Sequence, residues 1–391
     1  MKKLLFMSLA LALLIIPTVA AQRPDAPSYA QRGPYRVGWQ AFEVPDSERP
    51  LPVSVWYPAE GAKEDEVIQY VDGLILLDGK AIEAGVPDRS AGPYPVVIFS
   101  HGSGGTRFQS IFMTEHLASY GFVVVSLDHP GNTILDRLND PEVFAQNTVV
   151  NFALRPLDVL RTIDFLAGLN SEGDLAGLMQ LDNIGVSGHS FGGYTALAVA
   201  GAQLDLSGSD EFCADNPDAG FCRLGDSTAL LAELRGIEAP ADDLFPPTRS
   251  DQIQAMILYA PASGLSLSPE SISSITIPSL VIVGSGDEVT PAESNANPTY
   301  EQLGSSQKIL MTFANGGHYL FLQSCPPLAI SFGLFDQCSD DVWDMARAHD
   351  LTNQATVAFF LATLAGDETA QAALAPDQMS FPGIDYQTSN P

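Results

Sequence analysis

Residues 183–193 read Asn183-Ile184-Gly185-Val186-Ser187-Gly188-His189-Ser190-Phe191-Gly192-Gly193. The first five form a run of strand length, and the residues from 190 to 201 are small and apolar, as a buried helix requires. Ser190 therefore stands on a sharp strand-to-helix turn. Glycines at 188 and 192 relieve crowding between side chains two residues either side of it. Such a turn holds the serine in a strained backbone with its hydroxyl exposed, and the helix N-terminus behind it favours negative charge developing nearby. G-x-S-x-G in this setting is the pattern of a nucleophilic serine.

A hydroxyl is a weak nucleophile until a base removes its proton. The chain has six histidines. His318, in Asn315-Gly316-Gly317-His318-Tyr319, follows the strand candidate 308–313 and can reach back over the sheet edge. His101 and His129 precede the serine and break the chain order serine, acid, histidine. His189 adjoins Ser190 and must point away, His116 reads as helical, and His349 as lying just before the last helix. The acid between 190 and 318 is Asp287, in Gly284-Ser285-Gly286-Asp287-Glu288, with Glu288 the neighbouring alternative. Two backbone N–H groups must meet the developing oxyanion. One is Phe191. The other comes from His101-Gly102-Ser103-Gly104-Gly105, with Ser103 the first choice and Gly104 the second. Asn132, Phe108 and Tyr319 are candidates to face the substrate. Arg155 and Asp158, one helical turn apart, read as a structural pair.

Around this core the strand candidates are 37–43, 51–57, 95–100, 122–127, 182–187, 255–260, 278–284 and 308–313. Continuous runs such as Val96-Val97-Ile98-Phe99 suit a parallel sheet covered on both faces. Helices fit between them. One spans 156–168 with Pro156 in its first turn, and one places Val357, Phe360, Leu361 and Leu364 on a stripe ended by Gly366. Segments 58–92, with an apolar patch at 74–77, and 203–252 interrupt the alternation. The second lies where ligands bind in open α/β folds and is a candidate cap.

With 47 acidic residues against 18 basic, the net charge of -29 argues against nucleic-acid binding. Lys2-Lys3, the apolar run Leu4–Ile16 and the small residues 18–21 read as a secretory signal peptide over 1–21. Residues 22–391 then form one domain, with no further segment for stable membrane insertion. In an oxidising compartment the four cysteines suit disulfides, with the local pairs Cys213–Cys222 and Cys325–Cys338 favoured over a zinc site.

Four motifs carry a family likeness: His101–Gly105, Asp128-His129-Pro130-Gly131-Asn132, Arg155-Pro156-Leu157-Asp158-Val159 and Gly188–Gly193. Over residues 37–365 the chain resembles the dienelactone-hydrolase-like and platelet-activating-factor-acetylhydrolase-like branch of the α/β-hydrolase superfamily. The resemblance implies a mostly parallel eight-stranded sheet with helices on both faces and ester hydrolysis by a Ser190-Asp287-His318 triad. It also implies Ser103 and Phe191 as oxyanion donors. The dienelactone hydrolases themselves use cysteine where this chain has Ser190. The expectation is a secreted carboxylic ester hydrolase acting on a small or polymeric ester, with no metal or organic cofactor. A polyester depolymerase or peptidase with the same triad, and an inactive binding module, are the alternatives.

Overall fold

The computed structural model describes residues 25–61, 68–72, 75–207, 213–214, 222, 224, 227–264, 266–331 and 333–389. The expected signal segment 1–21 lies outside them, as do Leu74 and much of 208–226. Among the described residues twelve strands run in chain order: β1 Arg36–Val44, β2 Leu51–Ala59, β3 Ile68–Asp72, β4 Ile75–Gly79, β5 Ile82–Glu83, β6 Tyr94–Ser100, β7 Val123–Leu127, β8 Met179–His189, β9 Ile253–Tyr259, β10 Ser279–Gly284, β11 Lys308–Phe313 and β12 Ile384–Thr388. Ten of them form one sheet, in the order β12-β11-β10-β9-β8-β6-β7-β2-β1-β5. From β7 through β6, β8, β9 and β10 to β11 every pairing is parallel. β3 and β4 form a separate hairpin.

The sheet thus has two strands more than the eight expected. Both additions lie at its edges. β5 has two residues, and β12 alternates half-buried and exposed positions, so neither shows the continuous apolar run that marks an inner strand.

Alternate residues of the inner strands feed two cores. Val96, Ile98, Val186 and Leu258 pack on one side, against α3 (Pro141–Ser171) and α4 (Phe191–Ala200). Val97, Phe99, Ile257 and Ile282 pack on the other, with α1 (Ile111–Ala118) and the helix Met345–Leu364, and a short helix α2 (Ile134–Asn139) leads into α3. Pleating makes this division automatic, because successive side chains leave opposite faces. The four strand residues Val96–Phe99 are all 0% exposed.

Two helices begin earlier than their apolar spacing indicated. α3 starts at Pro141, where the side chain of Asp140 accepts from the amides of Glu142 and Val143. Pro156 lies inside α3 rather than at its start. A proline there offers no N–H to the carbonyl four residues back. The hydroxyl of Tyr194, on α4, donates to that carbonyl of Phe152 instead, at 2.8 Å. The last long helix starts at Met345, so His349 is within it, its ring stacked on Phe112 at 3.6 Å. The first turns of this helix are polar, which hid them from a reading of hydrophobic period.

In the interruption 203–252, Leu204, Leu206, Leu231 and Phe245 join the core on the α3 side, and Thr228–Leu234 is helical. Disulfides join Cys213 to Cys222 and Cys325 to Cys338. Among the described residues no helix is long and apolar enough to cross a membrane.

Candidate active site

β8 delivers Ser190 to the rim of the sheet with φ +55° and ψ -118°, a left-handed conformation rare for a residue with a side chain. Its own backbone is fixed on both sides. Ser190 N–H donates to Tyr259 O at 2.9 Å, and Ser190 O accepts from Ala262 N at 2.9 Å. A Cβ at Gly188 would run into the backbone of Gly192, and one at Gly192 into the carbonyl oxygen of Ser100. The tightness of the turn itself therefore requires glycine at 188, and its close approach to β6 requires glycine at 192.

The turns after β10 and β11 bring Asp287 and His318 together. Asp287 Oδ2 lies 2.7 Å from His318 Nδ1. Asp287 Oδ1 accepts from the amides of Val289 at 2.8 Å and Thr290 at 2.7 Å. Burial pushes this carboxyl up, but the His318 contact and the Thr290 donors outweigh it and hold it below its ordinary value. Asp287 is buried, whereas Glu288 is exposed, so Asp287 is the carboxylate that faces the imidazole. With Nδ1 committed to Asp287, Nε2 is the imidazole atom left to act as base.

Thr290 was not singled out from sequence. Its Oγ1 lies 2.9 Å from Asp287 Oδ2 and 3.1 Å from His318 Nδ1. The signal was its position three residues after an aspartate at a strand end, the spacing of a local side-chain-to-backbone turn.

Residue 189 links the Ser190 turn to His318. The rings of His189 and His318 are 4.6 Å apart, and His189 Nε2 lies 2.9 Å from His318 O. Among the described residues no hydrogen bond engages the Ser190 hydroxyl. Catalytic contacts of this kind often close only when substrate is bound.

The loop after β6 supplies the facing wall. A Cβ placed on Gly102 would stand 3.3 Å from Ser190 Cβ. The amides of Gly102, Gly104 and Gly105 are engaged with Gln109 Oε1, Asn132 O and Gly102 O. Among these four loop residues the Ser103 N–H is the one with no acceptor. Phe191 opens α4, and the first amides of a helix have no intrahelical acceptor. Gln109, whose side chain fixes Gly102, was also missed from sequence.

A cavity of about 480 Å³ opens beside His318, lined among others by Glu288, Val289, Tyr319, Asp336, Asp340 and Val342. Tyr319 thus faces the cavity. The other two soft candidates do not line it. Phe108 is 1% exposed and packs among Trp39, Trp56 and Tyr70 in the core. Asn132 is fully buried, its amide shared between Ser103 Oγ, Thr148 Oγ1 and Arg155. It braces the loop. Arg155 and Asp158 do not pair directly: Asp158 binds Arg49 and His129, and Arg155 turns to the loop.

The sequence profile of the alpha/beta hydrolase family matches residues 97–330, more than half of the chain. The chain belongs to the alpha/beta hydrolase family. The matched stretch of this hydrolase runs from β6 past His318 and contains Ser190 and Asp287. No curated protein matches the hydrolase. Among the described residues no cluster of metal-ligating side chains occurs.

Proposed function

We propose that this hydrolase cleaves carboxylic esters through an acyl-enzyme on Ser190, and that it belongs with the dienelactone-hydrolase-like and platelet-activating-factor-acetylhydrolase-like serine esterases. The observation that carries the reading is the 2.7 Å Asp287–His318 pair, linked by the His318 carbonyl to His189, the residue before a serine at φ +55° on a strand-to-helix turn. Ser190 Oγ attacks the ester carbonyl as His318 Nε2 takes its proton. The amides of Ser103 and Phe191 meet the oxyanion. The imidazolium, stabilised by Asp287, returns the proton to the departing alcohol. Water then repeats the sequence and releases the acid.

Four carboxylates, Glu288, Asp336, Asp340 and Asp341, line the cavity at His318. They favour neutral or cationic esters over anionic ones. The two disulfides support export, the compartment in which such bonds persist. Segment 203–252 is proposed as a cap at the strand ends.

The test compares short p-nitrophenyl esters, a polyester film and peptide amides, together with labelling by a fluorophosphonate. Turnover of esters and labelling, both lost in Ser190→Ala, are expected. A folded wild type that neither labels nor turns over any ester overturns the reading. Faster amide than ester cleavage replaces it with a peptidase.

A further inference from the structure

The motif Arg155–Asp158 is left unexplained by the triad. Arg155 is 0% exposed, and a guanidinium so deeply buried is costly unless its donors are met. Its neighbour Asp158 does not meet them. Instead Nη1 donates to His101 O at 2.7 Å, and Nη2 to Asn132 Oδ1 at 2.9 Å and to Gly102 O at 3.3 Å, while Nε has no acceptor among the described residues. Its Cζ lies 4.5 Å from the ring centre of Phe191. One side chain thus touches the residues on both sides of the candidate oxyanion site.

The carbonyl of Gly102 receives two further donors. Gly105 N–H reaches it at 3.0 Å and His101 Nδ1 at 2.6 Å. His101 is neutral with its proton on Nδ1, because its Nε2 accepts from His129 N–H at 3.1 Å. Three donors on one carbonyl fix the plane of the Gly102–Ser103 peptide. A trans peptide points its N–H opposite to its C=O. The Ser103 amide is thereby turned away from Arg155, and drawing electron density onto the Gly102 oxygen makes that amide a stronger donor.

We propose that Arg155 is a positioning residue of the oxyanion hole: with His101 it clamps the Gly102 carbonyl so that the Ser103 N–H is oriented and polarised toward the developing oxyanion, while its face packs on Phe191, the residue of the second donor. The proposal rests on the esterase reading above. A merely structural arginine would hold the loop for every substrate alike. A clamp on the oxyanion donor acts only where charge accumulates on the carbonyl oxygen, and sulfur is a much weaker acceptor there than oxygen.

The experiment measures kcat and KM of wild type, Arg155→Met and Arg155→Lys on p-nitrophenyl acetate and on its thiono analogue, in which sulfur replaces the carbonyl oxygen. Wild type should prefer the oxygen ester strongly. In Arg155→Met kcat for the oxygen ester should fall on the order of a hundredfold, the loss typical of one oxyanion donor. KM should change little, and the oxygen-to-sulfur ratio should drop by about tenfold or more. Arg155→Lys, which keeps the charge as a point donor, should fall between. If Arg155→Met does not fold, Arg155→Lys and His101→Phe are read by the same ratio. Equal losses on both esters, or wild-type kcat in a folded variant, overturn the clamp. Wild-type turnover that survives Ser190→Ala overturns the esterase reading itself, and the clamp with it.

Discussion

His189 Nε2 lies 2.9 Å from the backbone carbonyl oxygen of His318, so the residue before Ser190 is fastened to the residue whose imidazole faces Asp287. Burial, and then the neighbouring His318, lower the His189 pKa to about 3. The ring is therefore neutral at pH 7, and its one proton sits on Nε2 to serve that carbonyl. His189→Ala leaves the carbonyl without this donor, an omission that costs roughly 1–3 kcal/mol when buried. It also frees His318 to shift, and displacements of about 1 Å can cost up to a hundredfold in rate. We expect a lower Tm and a kcat reduced on the order of tenfold. His189→Gln, which keeps a donor, should recover part of both. Calorimetry and ester kinetics on the two variants check this, and an unchanged kcat in His189→Ala would remove the residue from the positioning of His318.

Stability should fall as the solution is acidified. His101, His129 and His189 are buried and neutral, each with a pKa held below the ordinary value of about 6.5, chiefly by burial. Below that value the unfolded chain binds three protons that the native chain does not. Their contribution is thus intact above about pH 6.5 and is lost as pH falls toward the folded values. Each site contributes a slope on the order of 1 kcal/mol per pH unit in that window. Asp287, held low, adds to the acid sensitivity below the carboxylate range. Asp158 and Glu115, pushed up by burial, oppose it, since the native state takes their protons first. Urea unfolding at a series of pH values from 7 to 5 measures the sum. A midpoint that rises on acidification would contradict the neutral assignment of the three rings.

Tyr194 and Pro156 should be energetically coupled. The Tyr194 hydroxyl supplies the donor that Pro156 cannot give to Phe152 O. Tyr194→Phe should cost about 1 kcal/mol by leaving a part-buried carbonyl without this donor. In a Pro156→Ala background a backbone N–H faces that carbonyl again, and the same substitution should cost less. A double-mutant cycle reads the difference directly, and additive effects would show the two groups to be independent.

The carboxylates at the cavity should set charge selectivity. A p-nitrophenyl hemisuccinate should have a lower kcat/KM than a neutral ester of equal length, and added salt should narrow the gap by screening. Equal values at low salt would show that the acyl chain does not pass Glu288 or Asp340.

Much of the candidate site was legible because each proposed catalytic group follows a strand end, and continuous apolar runs mark inner strands plainly. The eight strand candidates all correspond to strands of the sheet, and Ser190, Asp287 and His318 stand on turns after β8, β10 and β11. What escaped were elements whose signal is weak or cancelled. β12 is an edge strand with two of its five residues exposed and three half-buried. The start of α3 was obscured because Pro156 looks like a first-turn residue until Tyr194 is known to replace its missing donor.

The sequence by itself determined the alternation of strand and helix, the turn bearing Ser190 and the order of the three candidate catalytic side chains, because these depend on local periodicity and on glycine at close approaches. Only the tertiary structure decided which of Asp287 and Glu288 faces His318, that Phe108 and Asn132 serve the core and the loop rather than the cavity, and that Arg155 grips Gly102. Those outcomes rest on side-chain direction and on partners dozens of residues apart. A hydrogen bond between such groups leaves no trace in the spacing of either one.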